Sequence, residues 1–129
     1  MLHHLVFWVP DLARADESWQ WLLGQLGYER DGTFDDRLIF RHPDGVAIAL
    51  EQSADMVPGM LYSRMRPGLN HMAFRVASPE LLGTILQGAT AHGWSPLPSD
   101  RHPIAPGNEV VYLEDRDGFE IELVAPTHA

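Results

Sequence analysis

The chain has 129 residues, 45% hydrophobic and 21% charged, which suits one domain or two small units sharing a core and excludes disordered and fibrous classes. Its 18 acidic residues outnumber 9 basic ones, all arginine, for a net charge of -9; such a chain is a poor nucleic-acid binder. Lysine and cysteine are absent, which removes Schiff-base, thiolate and disulfide chemistry. No apolar run approaches the roughly 20 residues of a membrane span. Met1-Leu2-His3-His4 lacks the basic-then-apolar pattern of a signal peptide, so the expected location is the cytoplasm, with no membrane partner.

In chain order, His4-Leu-Val-Phe-Trp-Val9 reads as a strand, and Asp11 is positioned to cap a helix over 12–26. Trp19, Leu22, Leu23 and Leu26 lie at helical spacing, and Gly27-Tyr28 ends the run. Arg37–Phe40 and the stretch after Asp44-Gly45 read as a hairpin. Residues 53–69 hold Pro58, Gly59, Pro67 and Gly68 and read as a linker.

The second half then repeats the first. His71-Met-Ala-Phe-Arg-Val76 matches the opening strand, Ser78-Pro79 opens a second helix, and Gly93-Trp94 closes it. Val110–Leu113 and the run after Asp117-Gly118 form a second hairpin. The expected fold is α+β: two paired βαβββ modules, 1–52 and 70–129, in a single 1–129 domain. Neither module buries a full core alone, so their sheets should curl around a shared cleft with the helices outside.

Strand alternation assigns the faces. Leu5, Phe7 and Val9, with Met72, Phe74 and Val76, face the helices. His4, Val6, Trp8, His71, Ala73 and Arg75 face away, as do Ala47, Ala49, Glu51, Glu120, Glu122 and Val124. By the same alternation His3 faces the helix side or frays. Two histidines and several carboxylates on matching positions form a plausible divalent-metal site, with Zn, Ni, Fe or Mn suited to imidazole and carboxylate.

These residues resemble the vicinal oxygen chelate superfamily, which includes glyoxalase I, bleomycin-resistance proteins, fosfomycin-resistance enzymes and extradiol dioxygenases. The resemblance rests on His4–Leu12, Gly68–Val76 and Asp117–Val124. It implies paired βαβββ modules and a metal held by His4, His71 and Glu122, with substrate oxygens on the open positions. The fourth ligand departs from the pattern. Ala49 occupies the place that matches Glu122, and Glu51, two residues on, is about 6.6 Å further along an ideal strand. A bulge or a different turn would return Glu51 to that place, so Glu51 is the expected fourth ligand, with Glu122 and Glu51 the expected catalytic carboxylates.

The implied function is a lyase, isomerase or dioxygenase acting on a small substrate with vicinal oxygens. The alternatives are a metal-free protein that sequesters a cationic drug, as bleomycin-resistance proteins do, and an interaction module. Trp8, Arg75, Arg64, Arg66, Arg101 and His102 are candidate substrate contacts, and Glu120 is a further candidate base. Open sheet edges and the family pattern point to a homodimer.

Overall fold

Residues 1–98, 104–105 and 107–127 are described by the computed structural model. The chain divides into two compact units, Met1–Leu61 and Tyr62–Ala129. In unit 1, β1 (His4–Trp8) leads into α1 (Leu12–Gln25), followed by β2 (Glu29–Thr33), β3 (Arg37–Arg41) and β4 (Ala47–Glu51). The sheet order is β1-β4-β3-β2, with β1 parallel to β4 and the remaining pairs antiparallel.

Helix α1 starts where the Asp11 carboxylate accepts the Arg14 N–H at 3.0 Å, satisfying one of the free donors of the first turn. Ala15, Trp19, Leu22 and Leu23 form its buried stripe. Trp19 stacks on Phe7 of β1 with ring centroids 5.6 Å apart. Leu38, Phe40, Ile48 and Leu50 share that sheet face and are also buried. Each such side chain contributes roughly 1.5–3 kcal/mol. A one-residue slip would drive Arg37 and Arg41 under the helix, so this packing fixes the register.

Unit 2 repeats the order with β5 (His71–Arg75), α2 (Pro79–Ala89), β6 (Ser95–Leu97), β7 (Glu109–Glu114) and β8 (Glu120–Ala125). Its sheet runs β5-β8-β7-β6, again with one parallel pair, β5 and β8. Ser78 Oγ accepts the Leu81 N–H at 3.1 Å, and Pro79 occupies the first turn. Leu82, Ile85 and Ala89 are buried on one side of α2, and Leu113, Ile121 and Leu123 on the sheet. A 3₁₀ turn at Thr90–His92 extends α2, and Gly93 at φ 85° reverses the chain. The fold is therefore α+β, two βαβββ modules with four-stranded mixed sheets. No described helix is long and apolar enough to cross a membrane.

Candidate functional site

The polar face of each sheet is a grid fixed by strand register. In unit 2, β5, β8 and β7 set His71 beside Glu120 and Glu114, then Ala73 beside Glu122 and Tyr112, then Arg75 beside Val124 and Val110. In unit 1, β1, β4 and β3 set His4 beside Ala47 and Arg41, then Val6 beside Ala49 and Ile39, then Trp8 beside Glu51 and Arg37. The two grids match row for row, so Ala49 occupies the place of Glu122 and Glu51 that of Val124.

In unit 2, the His71 and Glu122 side chains meet: Nε2 lies 3.1 Å from Glu122 Oε1. Glu122 is only 3% exposed. On the other side of the ring, Nδ1 lies 2.7 Å from Asn70 Oδ1. That amide is oriented by its own Nδ2, which donates to the Arg64 carbonyl at 3.1 Å. An amide oxygen only accepts, so Nδ1 carries the hydrogen. In the neutral ring Nε2 is then a bare lone pair facing a buried carboxylate. Two lone-pair groups at that distance need a proton or a cation between them.

Arg64 anchors the surroundings. Its Nη1 donates to Glu114 Oε2 at 2.6 Å, and its Nε lies 3.1 Å from Glu120 Oε1. Glu120 Oε2 lies 3.5 Å from His71 Nδ1. The Tyr62 ring stacks on Phe119 at 4.1 Å and its hydroxyl donates to the Leu69 carbonyl, bracketing the segment that carries Arg64. Burial raises the Tyr62 phenol above its usual range, keeping it a donor at neutral pH. Arg64, expected to meet substrate, is thus engaged by two carboxylates. Arg66 and Arg75 are exposed. Arg101 and His102 lie outside the described residues.

In unit 1, His4 opens the grid and its Nδ1 lies 2.8 Å from His3 Nδ1, so one ring donates to the other. His3 precedes β1, so strand alternation does not govern it, and it lines the same pocket as His4 rather than the helix side. Glu51 lies on the expected face, but no bulge shifts β4: its pairing runs unbroken from Ala47 to Glu51. The register shift in this sheet falls in β2, between Arg30 and Gly32. Glu51 is therefore four strand residues from the His4 row, about 13 Å. Both of its oxygens are engaged: Oε1 accepts the Trp8 indole N–H at 2.7 Å, and Oε2 accepts Arg37 Nη2 at 2.6 Å. Hydrogen bonds from Arg37 and then Trp8 hold the Glu51 carboxyl below its usual range.

Sequence reading missed Asn70, Tyr112, Glu114 and Arg41. Strand alternation through 110–114 would have placed Tyr112 and Glu114 on the Glu122 face, and alternation from Arg37 would have placed Arg41 beside Ala47. Asn70 lies outside β5, so no strand pattern marks it. Among the described residues, no group of three or more His, Cys, Asp or Glu side chains is gathered to hold a metal ion.

A family model described as the Glyoxalase/Bleomycin resistance protein/Dioxygenase superfamily matches residues 3–112. The uncharacterized protein YqjT of Bacillus subtilis (strain 168) is 33% identical over 128 residues, covering 98% of this chain and 99% of its own. A Bacillus halodurans protein, provisionally named a glyoxalase and solved at 2.10 Å, is 35% identical with a TM-score of 0.85, covering 98% of this chain and 96% of its own. The fosfomycin resistance protein FosX from Listeria monocytogenes shares the fold at 22% identity and a TM-score of 0.69, over 98% of this chain and 91% of its own. The chain belongs to the Glyoxalase/Bleomycin resistance protein/Dioxygenase superfamily.

Proposed function

We propose that the protein is a metal-dependent, glyoxalase-like enzyme acting as lyase, isomerase or dioxygenase on a small substrate with two neighbouring oxygens. The observation that carries this reading is the His71 Nε2 to Glu122 Oε1 pair, two lone-pair atoms 3.1 Å apart with the ring tautomer set by Asn70. Borderline nitrogen and hard oxygen donors suit Zn, Ni, Fe or Mn. The ligand set we propose is His71 and Glu122, to which the family resemblance adds His4. A divalent ion held there would supply Lewis acidity to the substrate oxygens. Glu51 is left out of the set, because Arg37 and Trp8 already engage both its oxygens. The His3–His4 contact supports His4: when His4 Nδ1 donates to His3 Nδ1, His4 Nε2 is free to bind. In the chemical step the Glu122 carboxylate, buried beside His71, is the group suited to accept and return a proton.

Chelator-treated protein titrated calorimetrically with Mn, Ni, Zn and Fe(II) tests the reading. The expected result is one ion per chain, with affinity lowered at least tenfold by His71→Ala and by Glu122→Gln. The two losses should be non-additive, because both act on one ion. Melting in metal-free buffer should change little for His71→Ala. Absence of stoichiometric metal would overturn the enzyme reading. A second reading, a metal-free protein that binds a small molecule, is favoured by one observation: Ala49 stands where the repeat has Glu122. We also propose that the working assembly is a homodimer.

A further inference from the structure

The two grids have diverged in opposite chemical directions. On the polar face of unit 2, the positions beside His71 and Ala73 are Glu114, Glu120, Tyr112 and Glu122. In unit 1, the matching positions are Arg41, Ala47, Ile39 and Ala49. Three carboxylates have become one arginine and two alanines. Among the described residues the volume given up stays open: a pocket of about 200 Å³ stands on the unit 1 sheet. Its floor is Val6, Ile39, Ala47 and Ala49, and its rim carries Arg41, Arg37, His3 and His4.

We propose that this pocket binds a small aliphatic carboxylate, its hydrocarbon body on the alanine floor and its carboxylate on Arg41. The proposal deepens the small-molecule reading above and rests on it for the ligand's role as substrate or substrate fragment. The volume lies below the roughly 300 Å³ at which drug-sized ligand sites begin, so the occupant has only a few heavy atoms. The floor offers no hydrogen-bonding side chain, so the buried part of the ligand is apolar.

The charged end follows from how the rim groups are engaged. Arg37 directs both Nε and Nη2 to Glu51 Oε2, at 3.1 and 2.6 Å, and that carboxylate is largely buried, so Arg37 is committed. Arg41 is held loosely. Its Nε meets Asp31 at 2.8 Å and its Nη1 meets the Gly45 carbonyl at 3.2 Å, while Nη2 has no partner among the described residues. The Asp31 side chain is 50% exposed, so this pair is of the weak, exchangeable kind. A guanidinium with a spare donor beside an apolar hollow matches a carboxylate. Of the carboxylates near this rim, Glu51 and Asp31 are each paired with an arginine, and Asp36 adds its charge on the Arg37 side rather than at Arg41.

The test uses the full chain, stripped of metal with chelator and labelled with ¹⁵N, titrated with isobutyrate and separately with isobutyramide, its uncharged isostere. Isobutyrate should bind at least tenfold more tightly, shifting the Ala47 and Ala49 amides. Arg41→Gln should bring the two affinities together. Ala49→Leu, which fills the floor, should weaken both at least tenfold; Ala47→Val is the smaller variant should Ala49→Leu fail to fold. Equal binding of acid and amide by the parent, or unchanged binding in a folded floor variant, overturns the proposal. Isobutyrate binding that requires added Mn overturns the pocket as a site of its own while leaving the metal reading intact. Binding without metal in a chain that takes up no metal upholds the pocket and removes the metal reading.

Discussion

Glu51 lies on the face where a ligand was expected, yet its neighbours give it a structural role. Arg37 and Trp8 donate to its two oxygens, and these hydrogen bonds favour the ionised form. A carboxyl whose folded value is depressed adds stability above its unfolded value of 4.5 and loses it as pH falls through the lower folded value. Arg37→Gln should therefore be less stable than the parent at neutral pH. The gap should narrow as the pH falls from 4.5 and close below the lower folded value, where both proteins carry a neutral Glu51. Urea titrations at a series of pH values measure this directly, and a gap that persists unchanged into acid would show that Glu51 ionisation is not its source. His71 is the contrasting residue. Its facing was legible from the apolar alternation of Met72, Phe74 and Val76, whereas its partner Asn70 was not, because a residue just outside a strand carries no periodic signal.

Among the elements, those with strong local chemistry were legible. Asp11 and Ser78 cap their helices as expected, and the apolar stripes are buried at Trp19, Leu22 and Leu23 and at Leu82, Ile85 and Ala89, whereas Leu26 is half-buried and Leu86, at the spacing of the second stripe, is exposed. Strands β2 and β6 were not placed, for physical reasons. Glu-Arg-Asp-Gly-Thr has no apolar alternation, and it is a strand through its pairing along β3, which also pairs with β4. Ser-Pro-Leu in β6 carries a proline, tolerated because β6 is an edge strand with no second neighbour needing its N–H. The β7–β8 turn shows how one side chain fixes an element. Asp115 is 6% exposed, and its Oδ1 accepts the Asp117 and Phe119 N–H groups at 2.9 Å each. This turn starts β8, and β8 carries Glu120 and Glu122. Asp115→Ala strands two backbone donors and should cost about 1–3 kcal/mol in urea unfolding. Asp115→Asn keeps the accepting oxygen and should cost less. Equal loss in the two variants would show that the carboxylate charge, not the acceptor, matters.

Across the whole molecule, duplication made the fold readable and divergence hid half of the chemistry. The repeated His-x-x-Phe-x-Val strands marked both modules and the Asp-Gly turns already set Ala49 against Glu122, but only register shows that Arg41 stands in the place of Glu114. The proposed homodimer draws support from apolar surface on the described residues. Val57, Met60, Leu61 and Met65 are each at least 57% exposed, although the segment that carries them joins two well-packed units. Large apolar side chains gathered in one short exposed segment mark association surfaces. Among the described residues each sheet also ends in edge strands paired on one side only, β1 and β2 or β5 and β6, the kind of edge that a second chain can extend. Light scattering at micromolar concentration should therefore give twice the 14.5 kDa chain mass. Met60→Glu combined with Leu61→Glu places two charges in the proposed contact and should shift the protein to monomer, with the melting temperature becoming independent of protein concentration. Both side chains are already exposed, so the variant keeps its core and its far-UV circular dichroism should match the parent. A parent chain that scatters as a monomer, or a double variant that stays dimeric, would remove this segment from the interface.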